Sequence, residues 1–512
     1  MIINILTVIL TIFIGCFVIY IFFNYKKLNY LKIHGIPHVT PLPILGNLAS
    51  IVFRQKHTGE FQLKLYNKFS NSKYFGYYDF QTPVIVLRDI ELIKSIGVKN
   101  FESFQDHRLF FDDSSDPMFS RNLFALKGQK WHDVRILLSP AFTSNKMKIM
   151  FKLISECAIN FAEFLSNDEK KNNKIRDIKD CFTRYTNDVI ATCAFGINVD
   201  SMKNPKNEFY LMGIDVTDPV KMSIKFIFLR MFPKLLKFFN IRFISMKIEK
   251  FFTNVISTTI NMRDKNEISR PDMLQLMMDS RGESNKIQLT SVEMTAQAFV
   301  FFFGGFDTIS THVSFVAYEL ALNSKIQMKL QEEINFVLQI TNNNPSYEAI
   351  NGMEYLDAVI SECLRKYPIV PFVDRVCNKQ FELPPNQPDS KPFIIEPGMS
   401  IMIPIYAIQH DLSYYEEPEK FNPDRFLNTG NASNKSATFL AFGLGPRQCI
   451  GNRFAVLETK IVLFHLLARC NLKVCKKTNV PLKLSKKTFT LTAVGGYWLE
   501  IEKRNVKCNS RK

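Results

Sequence analysis

The chain has 512 residues, of which 46% are hydrophobic and 22% charged, a balance that allows a large buried core and excludes wholesale disorder. Lysine and arginine exceed aspartate and glutamate by 65 − 48 = 17; this surplus suits an anionic membrane face or an acidic protein partner, and without zinc-finger spacing or a long basic block nucleic acid is not expected. Ten cysteines without a C-x-x-C pair and eight histidines without H-E-x-x-H speak for a reducing compartment and against a disulfide scaffold or a zinc hydrolase.

In chain order, the first feature is an almost wholly apolar run from Ile2 to Phe23, 22 residues that as a helix reach about 33 Å, enough for a bilayer core of about 30 Å. Lys26, Lys27 and Lys32 follow it, so residues 1–25 read as a retained transmembrane anchor with everything downstream in the cytosol. A basic, proline-rich linker, residues 26–47, carries Gly35-Ile36-Pro37 and Pro41-Leu42-Pro43 before Gly46, a stiff non-helical connector. The catalytic body is expected over 48–505, with a short tail at 506–512.

Within that body, Pro83 to Leu87 is strand-like, and the stretch from about Trp131 to Leu338 is mainly helical. Thr290-x-x-Glu293 is a capping box that opens a long apolar run to Leu322, the mark of a helix buried on nearly all faces. Asn342 to Asn344 and Asn428 to Lys435 read as surface loops. Around Pro397-Gly398 short strands are expected, with Ile401 and Ile403 alternating, and helix returns with Phe454, Leu457, Ile461, Phe464 and Ala468 at spacings of three or four. The fold class is therefore mainly α with a small β region. The 47 Phe against 2 Trp point to a core, and to any ligand cavity, walled by apolar rings.

The chemistry concentrates in Phe442-Gly443-Leu444-Gly445-Pro446-Arg447-Gln448-Cys449-Ile450-Gly451. It places one cysteine in a glycine-rich loop just before an amphipathic helix. Backbone N–H groups at glycine can approach a thiolate closely, and the positive end of the following helix faces it; Phe442 would shield the sulfur. Against this, a lone cysteine before a helix is ordinarily a small buried hydrophobe.

The ten residues resemble the cysteine-ligand loop of cytochromes P450, F-x-x-G-x-R-x-C-x-G, at every fixed position. The resemblance runs from the proline-rich connector to about Glu502 and is closest to insect microsomal members. It implies the P450 fold and haem b, with the Cys449 thiolate as axial ligand of the iron and Phe442 and Gly451 in the same loop. Glu362-Cys363-Leu364-Arg365 resembles the family's E-x-x-R, and Arg425, in Phe421 to Phe426, the arginine that joins that pair in a buried, haem-retaining network. Gly304-Gly305-Phe306-Asp307-Thr308 resembles A-G-x-[D/E]-T; there Gly304 and Gly305 let the helix open over the iron, and Thr308 relays protons drawn through Asp307. The bland alternative is that Asp307 pairs with a helix neighbour and Thr308 bonds back to a carbonyl.

Trp131-x-x-x-Arg135 puts an indole N–H and a guanidinium on one helix face. By resemblance they meet a haem propionate, as do Arg375 and Arg447, with His107 a looser match. The implied activity is a monooxygenase inserting one atom of O2 into a lipophilic small molecule. No nicotinamide or flavin motif occurs in the chain, so an NADPH-cytochrome P450 reductase on the endoplasmic reticulum membrane is the expected electron source, with cytochrome b5 as a second donor. A haem-thiolate isomerase or dehydratase and a non-catalytic haem ligand-binding protein are the competing readings; retention of Asp307 and Thr308 disfavours both. Phe110, Phe111, Phe119, Phe301, Phe302, Ile369, Val370, Phe372 and Leu491 are the expected cavity lining. Phe226 to Phe252, where Phe alternates with Lys234, Lys237 and Arg242, reads either as an amphipathic helix pair or as a second membrane contact.

Overall fold

The computed structural model describes residues 25–108, 116–167, 174–231, 242–270, 272–282, 288–427 and 437–504, with isolated positions at 11, 15, 238 and 239. The anchor segment up to residue 24, Phe110 and Phe111, Lys234 and Lys237, the Asn428 to Lys435 loop and the 506–512 tail lie outside these described residues, apart from those isolated positions. The longer helices are α1 (Thr58–Lys68), α2 (Gly128–Leu138), α3 (Ser144–Asn167), α4 (Ile178–Phe195), α5 (Glu208–Val216), α6 (Pro219–Met231), α7 (Met246–Asn266), α8 (Ser291–Leu322), α9 (Ser324–Ile340), α10 (Glu354–Lys366) and α11 (Asn452–Arg469). The strands are β1 (Tyr74–Asp79), β2 (Thr82–Leu87), β3 (Ile175–Asp177), β4 (Val373–Val376), β5 (Phe381–Leu383), β6 (Phe393–Ile395), β7 (Ser400–Ile403), β8 (Cys470–Val474) and β9 (Trp498–Lys503). The molecule is mostly helical with small sheets.

The described chain divides into two compact units. The first comprises residues up to Arg108, Pro371–Ile408 and Leu444–Pro446. It holds the sheet ordered β1-β2-β7-β4, in which β2 and β7 are parallel and the other pairs antiparallel, and the hairpin β5-β6. β7 was expected to alternate; Ile401 and Ile403 are buried, and so are Ser400 and Met402 on the opposite face, the pattern of a strand covered on both faces.

The second unit comprises Leu109–Val370, Gln409–Gly443 and Arg447–Lys512. It carries α2 to α11 and the sheet β3-β9-β8. Its axis is α8, 32 residues long and the one helix among those described that is long and apolar enough to cross a membrane. It is instead a core helix, packed most extensively on α4. The Thr290 capping box starts it: the Thr290 side chain accepts the Glu293 N–H, and Glu293 Oε2 accepts the Thr290 N–H at 2.9 Å. Part of the phenylalanine surplus sits here, where Phe195, Phe209, Phe252, Phe299, Phe302 and Phe306 form one continuous ring cluster with neighbouring centroids about 5–6 Å apart.

Candidate active site

The loop 442–451 turns tightly because two of its residues adopt left-handed backbone, Gly443 at φ +78° and Gly445 at φ +68°, which glycine reaches without a Cβ penalty. The Cys449 N–H donates to the Phe442 carbonyl at 2.9 Å and closes the turn. α11 begins three residues after the cysteine, so the positive end of its dipole lies beside the sulfur. Burial pushes the Cys449 thiol up, while the Gly451 N–H, hydrogen-bonded to Sγ, and the nearby Arg135 guanidinium pull it down. The sulfur lies deep among protein atoms, yet of the described cysteines Cys449 is the one with an exposed side chain. Cys363, by contrast, is fully buried within α10, and burial followed by the Glu319 charge pushes its thiol well up.

Two arginines and a tryptophan hold this loop. Arg135 Nη2 donates to the Gln448 carbonyl at 2.8 Å. Arg447 is buried; its Nη2 donates to the Leu126 carbonyl at 2.7 Å, its Nη1 to Leu123 at 3.4 Å, and its guanidinium stacks 4.1 Å from the centroid of Trp131. The Trp131/Arg135 spacing thus brings both side chains of α2 to the cysteine loop. Segment 121–126 is also pinned to α8, since Gln297 donates to the Arg121 carbonyl at 2.7 Å and accepts the Leu123 N–H at 2.8 Å.

The middle of α8 carries a stripe that is not closed over. Phe301, Gly304, Gly305 and Thr308 keep exposed surface, as do Phe303 and Asp307 beside them, while Phe302, Phe306, Ile309 and Ser310 are buried; the spacing of the first four places them on one helix face. A Cβ added at Gly304 would meet nothing within 4 Å, whereas one at Gly305 would collide with Ile190 of α4. Gly305 is therefore a close-packing glycine, a role the motif alone does not announce. The helix stays continuous through the two glycines, without the local opening expected from them.

Asp307 and Thr308 turn to different partners. Lys179 of α4 donates to Asp307 Oδ1 at 2.8 Å, to the Asp307 carbonyl at 3.2 Å and to Ser310 Oγ at 2.6 Å. Lys179 was not singled out in the sequence; nothing local marks a lysine lying 128 residues from its partner. The Thr308 hydroxyl donates back to the Gly304 carbonyl.

Glu362, Arg365 and Arg425 meet as expected. Arg365 forks onto Glu362 at 2.7 and 2.9 Å, and Arg425 Nε reaches Glu362 Oε1 at 3.1 Å. The Asn422 N–H donates to the same oxygen at 3.0 Å, and Arg365 also donates to the Gln409 and Pro418 carbonyls. Of the expected cavity residues in this unit, Phe302 and Leu491 are fully packed in the core, and Phe301 stays half-open.

In the first unit, Arg375 is 1% exposed, donates to the Asp374 carbonyl at 2.7 Å and has an unpartnered Nε. No carboxylate is hydrogen-bonded to this buried guanidinium, although the neighbouring Asp374 charge offsets part of its burial. His107 Nδ1 pairs with Asp374 Oδ1 at 3.0 Å. Burial alone would raise the Asp374 carboxyl, but His107, the Arg108 N–H and Arg375 together draw it down to about 2.

An open, N–H-supported cysteine sulfur and a small-residue stripe on α8 fit haem. The family model described as "Cytochrome P450" matches residues 36–499. The chain belongs to the cytochrome P450 family. It is 45% identical to Cytochrome P450 9e2 of Blattella germanica over 92% of this chain and 93% of that protein. It is 36% identical to Probable cytochrome P450 9f2 of Drosophila melanogaster (95% and 97% covered) and 34% identical to Cytochrome P450 6j1 of Blattella germanica (98% and 99%). As a P450 the chain is a monooxygenase, and its prosthetic group is haem on a cysteine thiolate.

Proposed function

We propose that this P450 inserts one atom of dioxygen into a lipophilic small molecule, with Cys449 as the axial thiolate of its haem b. Electrons come from an NADPH-dependent reductase, with cytochrome b5 as a second donor. Haem, when bound, supplies oxygen activation, which thiolate ligation promotes. The chain's own residues hold charge and move protons. The Gly451 N–H and Arg135 spread the negative charge on Sγ, and Phe442 covers the loop. Trp131, Arg135, Arg375 and Arg447 are the cationic and N–H donors for the propionates. Thr308 hands on a proton at its Oγ1, and Asp307, tied to Lys179 in a half-exposed ion pair, brings protons from outside.

The single observation that carries this reading is the exposed Cys449 side chain with an N–H aimed at its sulfur. The reduced protein under carbon monoxide should show the Soret band that names the family, and Cys449→Ser should abolish both that band and NADPH-dependent oxygenation. A Ser variant keeping either would overturn the assignment.

We also propose an endoplasmic reticulum membrane location, with residues 1–25 as anchor, 26–47 as linker and a cytosolic catalytic body from 48 to 505. A second membrane contact through the 226–252 region is supported by the exposed Phe228, Phe238 and Phe239. Deleting residues 1–25 should leave partial binding to liposomes; a wholly soluble product would refute the second contact.

A further inference from the structure

The stripe on α8 does not end at Thr308. A hydroxyl has one hydrogen, and that of Thr308 is spent on the Gly304 carbonyl. To pass a proton on, Thr308 must first receive one from another donor. Asp307 is turned toward Lys179. One turn further along α8, three buried polar atoms have no protein partner: Thr311 Oγ1 and both ring nitrogens of His312. His312 follows Thr308 by four residues, Gly305 by seven and Phe301 by eleven, so it continues the same stripe into the core, where it is 6% exposed.

Unpartnered buried polar atoms are costly, and in folded proteins they are met by ordered water, each molecule making about three hydrogen bonds. We propose that His312 is a positioning residue which, with Thr311, holds solvent at the inner end of this stripe and so supplies Thr308 with a proton donor. Burial drives the imidazole down to about 3, which keeps it neutral. One ring nitrogen then accepts from water while the other donates. The inference rests on the reading of Thr308 given above.

The test uses the full-length holoenzyme with reductase and NADPH and no added substrate, measuring how consumed oxygen divides between hydrogen peroxide and water. His312→Leu should raise the peroxide share several-fold, up to about tenfold for the loss of one well-placed hydrogen bond. His312→Asn, which can still hold a water, should stay near wild type, and Thr311→Val should fall between. A histidine with a purely structural role would move the melting temperature and leave this division untouched; that result overturns the proposal. So does a high-resolution crystal structure of the wild type with no water within hydrogen-bond distance of either ring nitrogen, a readout that needs no turnover and holds even if His312→Leu does not fold. Every variant is first checked for the family's carbon monoxide band. Its presence with an unchanged peroxide share sinks the role of His312 alone, whereas its absence in the wild type sinks the haem-thiolate assignment.

Discussion

Two glutamates of the second unit, Glu362 in α10 and Glu458 in α11, are both fully buried and differ in everything else. Glu362 accepts from Arg365 twice, from Arg425 and from the Asn422 N–H, all at 2.7–3.1 Å. Glu458 has no partner at either oxygen and lies among Tyr185 and Cys193 of α4 and Cys157 of α3. Burial alone pushes its carboxyl well up. The first is a charge made safe by a fork of donors; the second is an acid kept neutral because the helices around it offer nothing to stabilise an anion. Depth of burial therefore says little about a carboxylate's state, and the partners that tertiary packing brings decide it.

The largest expected effect comes from breaking the satisfied network. Arg365→Ala takes the two-armed fork from the fully buried Glu362, leaving it to Arg425 and the Asn422 N–H, and strips the donor from the Gln409 and Pro418 carbonyls; this should cost about 3–5 kcal/mol, read as a lowered melting temperature and faster haem loss. A drop as small as that of a surface ion pair would mean that water replaces the guanidinium.

Glu458→Gln should act in the opposite direction. Because the folded state raises this carboxyl above its unfolded value of about 4.3, native stability is fully present below that pH and falls as pH rises toward the folded value. Removing the titration should leave the variant's stability flat where that of wild type falls, so the variant gains on wild type as pH rises from about 4 to about 8. Urea melts across this range would show it; a constant difference at all pH values would contradict a neutral Glu458.

The smallest effects separate the two glycines of α8. Gly305→Ala should destabilise by roughly 1–3 kcal/mol through collision with Ile190, and Ile190→Ala should recover part of the loss. Gly304→Ala meets open space and should stabilise by about 0.5–1 kcal/mol, the gain of replacing a mid-helix glycine. Thermal melts of the two variants should therefore shift with opposite signs.

Much of this was legible in residue order. The Thr290 capping box, the apolar length of α8, the three-and-four spacing of α11 and the strand read at 83–87 are local patterns; each formed, the strand one residue longer, at Thr82–Leu87. The E-x-x-R pair lies one helical turn apart, so its fork was visible too. Less legible was Lys179, because a long-range ion pair leaves no local mark, and the packing role of Gly305, because the obstructing Ile190 comes from another helix. The alternation at Ile401 and Ile403 misled because both faces of β7 are covered, so Ser400 and Met402 are buried as well.

By itself the sequence determined the helical class, the glycine-rich cysteine loop and the placement of Trp131 and Arg135 on one face, since all of these follow from short-range periodicity and backbone sterics. Only the tertiary structure decided that Cys449 is open while Cys363 is sealed, that Asp307 faces Lys179 rather than Thr308, and that Glu362 is paired while Glu458 is not. These outcomes depend on which distant atoms arrive within about 3 Å, the range over which a hydrogen bond or ion pair acts.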